Sequence, residues 1–273
     1  MAVSERRTPS QVGSLLREWR ERRRLSQVDL ANQAGVSARH ISFLETGRAK
    51  PSRAMVLRLA DQLDVPMRDR NPLLLAAGYA PAYEQKPLAD PAMTPVLDAV
   101  RQVLRSHDPN PALVVDGEWN LVDANRGFAL FTEGCAHELL EPPVNVLRLV
   151  LHPKGMAPGV ANLGVWRAKL LGRLRRRAAS DPRLRPLYEE LLEYPCDQEE
   201  PEVDVPVAGD ICIPLQLRRG EHVLSFFGTL ATFGTPRDVT VAELIIESFF
   251  PADGITAEAV RESVPAPLTE NFS

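Results

Sequence analysis

The stretch from Leu25 to Ser52, LSQVDLANQAGVSARHISFLETGRAKPS, gathers side chains suited to recognition. Arg39 carries a planar guanidinium that can hold the N7 and O6 edge of guanine through two parallel hydrogen bonds, worth about 1–3 kcal/mol of discrimination. Ser37, Ala38 and His40 stand beside it, and Ser42 and Phe43 follow one helical turn on. Phe43 can meet a thymine methyl group or simply pack on the surface. Gln27 brings an amide to the start of an earlier helix, where free backbone N–H groups also suit a phosphate. Arg48 and Lys50 come just after the recognition residues, placed to meet a sugar–phosphate backbone or to serve as solubilising charge. The chemistry of this set is hydrogen bonding to base edges and phosphates.

Bond-making chemistry finds no support elsewhere. The chain lacks HExxH, GxSxG, a Walker loop and a GxGxxG run after a strand. Its 5 histidines are scattered, without metal-ligand spacing to one another or to Cys135, Cys196 and Cys212. The acidic pairs Glu189-Glu190 and Glu199-Glu200 sit on polar surfaces. No catalytic residue, no metal site and no required cofactor are expected. Haem and flavin find no Cys-x-x-Cys-His or phosphate loop to hold them. The cysteines form no CxxC pair and suit a reducing compartment. No run approaches the roughly 18 consecutive apolar residues of a membrane helix. The N-terminal MAVSERRTPS lacks the apolar core of an export signal. A cytoplasmic protein with no membrane partner is expected.

The recognition residues need helices to hold them. Val12, Leu15, Leu16 and Trp19 form one apolar stripe on a first helix. Ser26, with Asp29 three residues on, predicts the cap of a second, which carries Leu30, Ala31 and Ala34. Gly35 supplies the positive φ that ends it. Ser37 caps a third helix with Ile41 and Leu44 inward, and Pro51-Ser52 opens a fourth on Val56, Leu59, Ala60 and Leu63. A fifth runs from Met67 to Ala77 and stops at Gly78. Two short helices joined by a Gly-containing turn form a helix-turn-helix unit, whose second helix enters the major groove of double-stranded DNA. Charge agrees with that. The first 80 residues carry 14 Lys and Arg against 8 Asp and Glu, a net of +6, while the rest carry 18 against 28, a net of −10.

A chain of 273 residues, 44% hydrophobic and 25% charged, is globular and long enough for two domains. Pro81, Pro87, Pro91 and Pro95 mark residues 81–95 as a linker between domains at 1–80 and 96–273. A helix over Met93–Ser106 is followed by a hairpin of Ala112–Asp116 and Trp119–Asp123. Helices are predicted over Ala124–Thr132, Gly159–Ser180 and Arg183–Tyr194. Strands follow at Ile211–Arg218, His222–Phe233 and Val241–Phe249. This order predicts an α+β domain, one five-stranded antiparallel sheet with helices on one face, behind an all-α N-terminal domain. The run Arg173, Arg175, Arg176 and Arg177 reads as a solvated face pairing with the acidic loop Asp197–Asp204, and otherwise as a second nucleic-acid or membrane contact.

The N-terminal segment resembles the lambda-repressor-like (XRE) family through Ser26-Gln27, Leu30-Ala31, Ala34-Gly35-Val36-Ser37, Ile41-Ser42, Leu44-Glu45, Gly47 and Pro51-Ser52. That resemblance implies the base and phosphate roles of Gln27, Ser37, Ala38, Arg39, His40, Ser42, Phe43, Arg48 and Lys50, and a buried salt bridge of Arg20 with Glu45, belonging to structure rather than to DNA reading. Over nearly its whole length the chain resembles one subgroup, the MmyB-like regulators. The match rests on ArgHisIleSerPheLeuGluThrGlyArg (39–48), Met55 to Ala60, Arg70-Asn71 and Leu74 to Pro81. It continues through Asn145, Arg148-Leu149, Leu151-His152-Pro153, Gly155, Asn162, Trp166 and Glu247 to Asp253. The likeness implies a bacterial transcription regulator with a PAS-like sensor domain whose apolar cavity holds a small ligand such as a fatty acid.

A sheet with helices across one face can leave such a cavity between its layers. Candidate lining residues are Val114, Leu121, Phe128, Phe131, Leu147, Trp166, Leu170, Ile213, Leu215, Phe226 and Phe233, each of which also fits plain core. Arg148, His152, Asn162 and Arg167 are candidates for an acidic head group; His152 and Asn162 fit turn and backbone roles as well. A homodimer reading two operator half-sites is expected. The alternative is a C-terminal domain that only dimerises or binds a protein partner.

Overall fold

A computed structural model describes residues 10–201 and 212–263. They fall into two compact units, one of residues up to Pro87 with Thr235–Ala242, the other of Leu88–Gly234 and the chain from Glu243 on.

The first unit holds α1 (Gln11–Arg22), α2 (Gln27–Ala34), α3 (Ala38–Glu45), α4 (Arg53–Gln62) and α5 (Met67–Ala76). Serine side chains cap the first four. Ser10, Ser26, Ser37 and Ser52 each accept a hydrogen bond from the backbone N–H three residues on, at 3.1–3.2 Å. Asp29 accepts from the Ser26 N–H at 2.9 Å and completes a capping box. Gly35 takes φ 64° and turns the chain from α2 into α3. The predicted apolar stripes meet in one core of Val12, Leu16, Leu30, Ile41, Leu44, Val56, Leu59 and Leu63. Gly13 lets α1 rest on α3, for a Cβ there would lie 2.5 Å from the Leu44 carbonyl oxygen. Residues 235–242 join this unit through Asp238, whose carboxylate accepts from the Lys86 N–H at 3.0 Å.

The second unit is built on α6 (Thr94–His107), β1 (Ala112–Val115), β2 (Leu121–Ala124), α7 (Ala129–Thr132), α8 (Val146–Leu151), α9 (Leu163–Ala178) and α10 (Arg185–Leu192). Then come β3 (Leu215–Arg219), β4 (His222–Ala231), β5 (Ile245–Pro251) and α12 (Gly254–Ser263), while α11 (Val239–Glu243), between β4 and β5 in the chain, falls almost wholly in the first unit. The strands form one antiparallel sheet in the order β2-β1-β5-β4-β3. The α+β reading holds.

Several details differ from expectation. Helices cover both faces of the sheet. Val100 and Leu104 of α6 pack with Ala112, Val114 and Ile246 on one side, while α7 to α10 cover Leu113, Val115 and Phe249 on the other. Period-two alternation along β1 and β5 sends successive apolar residues to opposite layers, so both faces need a cover. The last strand begins at Ile245, because Val239–Glu243 is helical. Trp119 belongs to a turn at φ 68° rather than to a strand. Helices α8 and α12 were not anticipated, α8 being too short to show a period. Ile211 and the far part of the acidic loop lie outside the described residues.

Candidate functional site

Two places bring recognition chemistry together. The first is α3. Ser37 and Arg39 are exposed, and Ala38, His40, Ser42 and Phe43 are partly so. The Ser37 hydroxyl is engaged in capping. The guanidinium carbons of Arg39 and Arg48 lie 5.1 and 5.8 Å from the Phe43 ring centroid, so the ring holds two cations beside one another. Lys50 turns its ammonium to the Tyr79 ring at 5.6 Å. The Gln27 amide donates to Glu45 at 2.8 Å. Glu45 is also the partner of Arg20, with Nε–Oε1 at 2.7 Å and Nη2–Oε2 at 3.0 Å, and both side chains are buried. The pair fixes α1 against α3, and so fixes the angle at which Arg39 is presented.

The second place is a cavity of about 370 Å³ between the sheet and α7 to α9, within the roughly 300–1,000 Å³ of small-molecule pockets. Phe128, Phe131, Leu147, Trp166, Leu170, Ile213 and Leu215 line it. Phe226 is fully buried behind Phe131, with ring centroids 5.5 Å apart, and does not reach the cavity. Leu121 packs in the same core without lining the cavity, while Val114 and Phe233 lie in the cluster on the opposite face of the sheet.

The four polar candidates are engaged elsewhere. Arg148 donates to both Glu190 oxygens at 2.8 and 2.7 Å, which holds that carboxyl below its ordinary range. Burial, followed by the hydrogen bond to Glu190, pushes the Tyr194 phenol up to about 12. His152 sits edge-on to Tyr194 and accepts from the Lys154 N–H at 3.0 Å. Asn162 bridges the Pro214 carbonyl and the Gln216 N–H, pinning the start of β3. Arg167, buried at the end of α10, donates to the Leu191, Leu192 and Tyr194 carbonyls and pairs with Glu200.

The polar groups that do line the cavity are Lys169, Arg173, Thr229 and Glu247. Arg173 is no solvated face. Its guanidinium lies 4.8 Å from the Trp119 ring and 3.6 Å from Glu247. Arg177 donates to the Gly117 carbonyl at 3.2 Å. Burial pushes the Glu247 carboxyl up, opposed by Arg173, and disfavours the charged form of Arg173 itself. The helical spacing of Lys169 and Arg173, i and i+4 on a face with Leu170 and Leu174, is the signal that separates them from Arg175 and Arg176. Leu113, Trp119, Val146, Leu149, Met156 and Phe249 complete the apolar wall.

Comparison with known proteins gives both units a family. Residues 11–73 match a helix-turn-helix domain. Residues 96–262 match the MmyB-like transcription regulator ligand binding domain. Among solved structures, the restriction-modification controller protein C.AhdI from Aeromonas hydrophila is 33% identical over 22% of this chain and 92% of its own, with a TM-score of 0.22. The clp gene regulator ClgR from Corynebacterium glutamicum is 21% identical over 37% of this chain and 93% of its own, with a TM-score of 0.23. A search of curated proteins gave no match. A helix-turn-helix unit joined to a ligand-binding unit defines a DNA-binding transcription regulator. The longer match spans more than half of the sequence, and the chain belongs to the MmyB-like transcription regulators.

Proposed function

We propose that this regulator reads an operator through α3 and that a small apolar ligand of the fatty-acid class, held in the cavity of its PAS-like second domain, changes its affinity for DNA. Arg39 reads a guanine, Phe43 holds that guanidinium in place, and Arg48, Lys50 and the start of α2 contact phosphates. Two copies bind two half-sites about one helical turn apart, and residues 81–95 link each reading head to its sensor. The protein acts in the cytoplasm as a binding protein rather than an enzyme. One observation carries the ligand reading: an apolar cavity of about 370 Å³ with a few polar groups on its wall, whereas the dimerisation reading expects a closed core. Exposed Val223, Phe227 and Phe250 on the outer sheet face give the dimerisation reading its own support.

The test has two stages. Organic extraction of freshly purified protein, followed by mass spectrometry, identifies any lipid carried through purification. Saturated fatty acids from octanoate to palmitate are then titrated against the protein bound to its operator. At about 0.8 kcal/mol per buried methylene, affinity rises roughly fourfold per carbon until the cavity is full, then levels off. A flat series, or binding that leaves DNA affinity unchanged, rejects the sensor and leaves the dimerisation module.

A further inference from the structure

The charged groups on the wall of the cavity lie where α9 faces β5. There Glu247, only 8% exposed, meets Arg173 at 3.6 Å, an ion pair longer than a hydrogen bond. Beneath the Arg173 guanidinium lies Trp119, 2% exposed, whose indole Nε1–H has no hydrogen-bond partner among the described residues. Its φ of 68° is one that a bulky side chain adopts only where its surroundings fix it. A guanidinium and a carboxyl therefore border the cavity without a well-made hydrogen bond between them. Buried polar groups in that condition are costly, and a ligand that completes them recovers the cost.

We infer that Glu247 sets the head-group specificity of the cavity: it selects an acyl chain ending in a neutral group that both accepts and donates a hydrogen bond, such as a carboxamide, a hydroxyl or a protonated carboxylic acid, over the carboxylate anion. This rests on the ligand role proposed for the cavity. The oxygen of such a head accepts from Arg173, and its N–H or O–H donates to Glu247. A carboxylate anion satisfies Arg173 but sets a second negative charge against Glu247. A fatty acid therefore binds together with one proton, shared by two carboxyls in one site. Burial pushes the Glu247 carboxyl up, which readies it for that proton. The charged groups around it on the cavity wall are Arg173 and Lys169, both from α9. The flanking strands put Leu113 of β1 and Leu230 of β4 opposite Glu247.

Dodecanamide and dodecanoate, titrated into the full-length protein by calorimetry from about pH 6 to about pH 8, separate the possibilities. The amide is expected to bind with an affinity that does not change with pH. The affinity of dodecanoate is expected to fall about tenfold per pH unit, as one proton is taken up with it. Glu247→Gln supplies a donor in place of the carboxylate; it abolishes that slope and tightens dodecanoate by at least about tenfold at the upper pH. A dodecanoate affinity independent of pH in the unmodified protein, or a slope that survives Glu247→Gln, overturns the assignment of Glu247 while leaving the sensor reading intact. Failure of both probes to bind at every pH rejects the sensor reading itself.

Discussion

Substituting Glu45 by alanine isolates the contact that holds α3 against α1. Glu45 and Arg20 have side chains 4% and 10% exposed. Arg20 donates twice to Glu45 and once to the Leu25 carbonyl at 2.7 Å, and the Gln27 amide uses the same carboxylate. Glu45→Ala leaves a buried guanidinium with only the half-exposed Glu21, 3.7 Å away, as counter-ion, at a cost of about 3–5 kcal/mol. That is a large share of the about 5–15 kcal/mol that holds a domain together. Hydrogen exchange read by mass spectrometry on peptides from α1 to α3 measures the loss locally. It is expected to accelerate exchange by about two to almost four decades. The double variant Arg20→Met with Glu45→Met replaces both charges by apolar volume and should recover most of the loss. A loss below about 1 kcal/mol for Glu45→Ala, the worth of an exposed pair, refutes the reasoning. So does a double variant as unstable as either single one.

Arg39→Ala should relax sequence preference by about 1–3 kcal/mol at one base pair, whereas Arg48→Ala should weaken all sequences alike and flatten the salt dependence. Fluorescence anisotropy against an operator and its single-base variants tells them apart. Gly13→Ala should destabilise the first unit by at least about 1–3 kcal/mol in urea unfolding, because its Cβ meets the Leu44 and Glu45 carbonyl oxygens, which are backbone and cannot swing away. For Glu247 the folded carboxyl titrates above the unfolded one, so the unfolded chain releases its proton first. Stability of the second unit is therefore greatest below the ordinary glutamate range and falls as pH rises through the raised value. Glu247→Gln should flatten that part of the melting-temperature profile and gain stability at its alkaline end.

The legible parts of this molecule are those whose signals are local. Serine caps, the Gly35 turn and apolar stripes each depend on residues within one or two turns, and α1 to α5 follow them closely. Strand alternation likewise gave the number and direction of the strands. The polar corner of the cavity was not local. Arg148 and Arg167 looked suited to an acidic head group because each offers a guanidinium, yet Glu190 and the carbonyls closing α10 claim them first. Arg173 looked like one of a solvated set, yet its guanidinium meets the Trp119 ring while Arg175 and Arg176 stay exposed. Which arginine meets which carboxylate depends on the register between α9 and β5, elements about seventy residues apart, and no local pattern fixes that register. The same register sets Glu247, Arg173 and Trp119 against the cavity while Arg177 ties α9 to the Gly117 turn. A ligand head that draws on Arg173 therefore acts on a helix already coupled to the β1–β2 hairpin. It can shift the regulator only by the difference in its affinity for the two states of that contact.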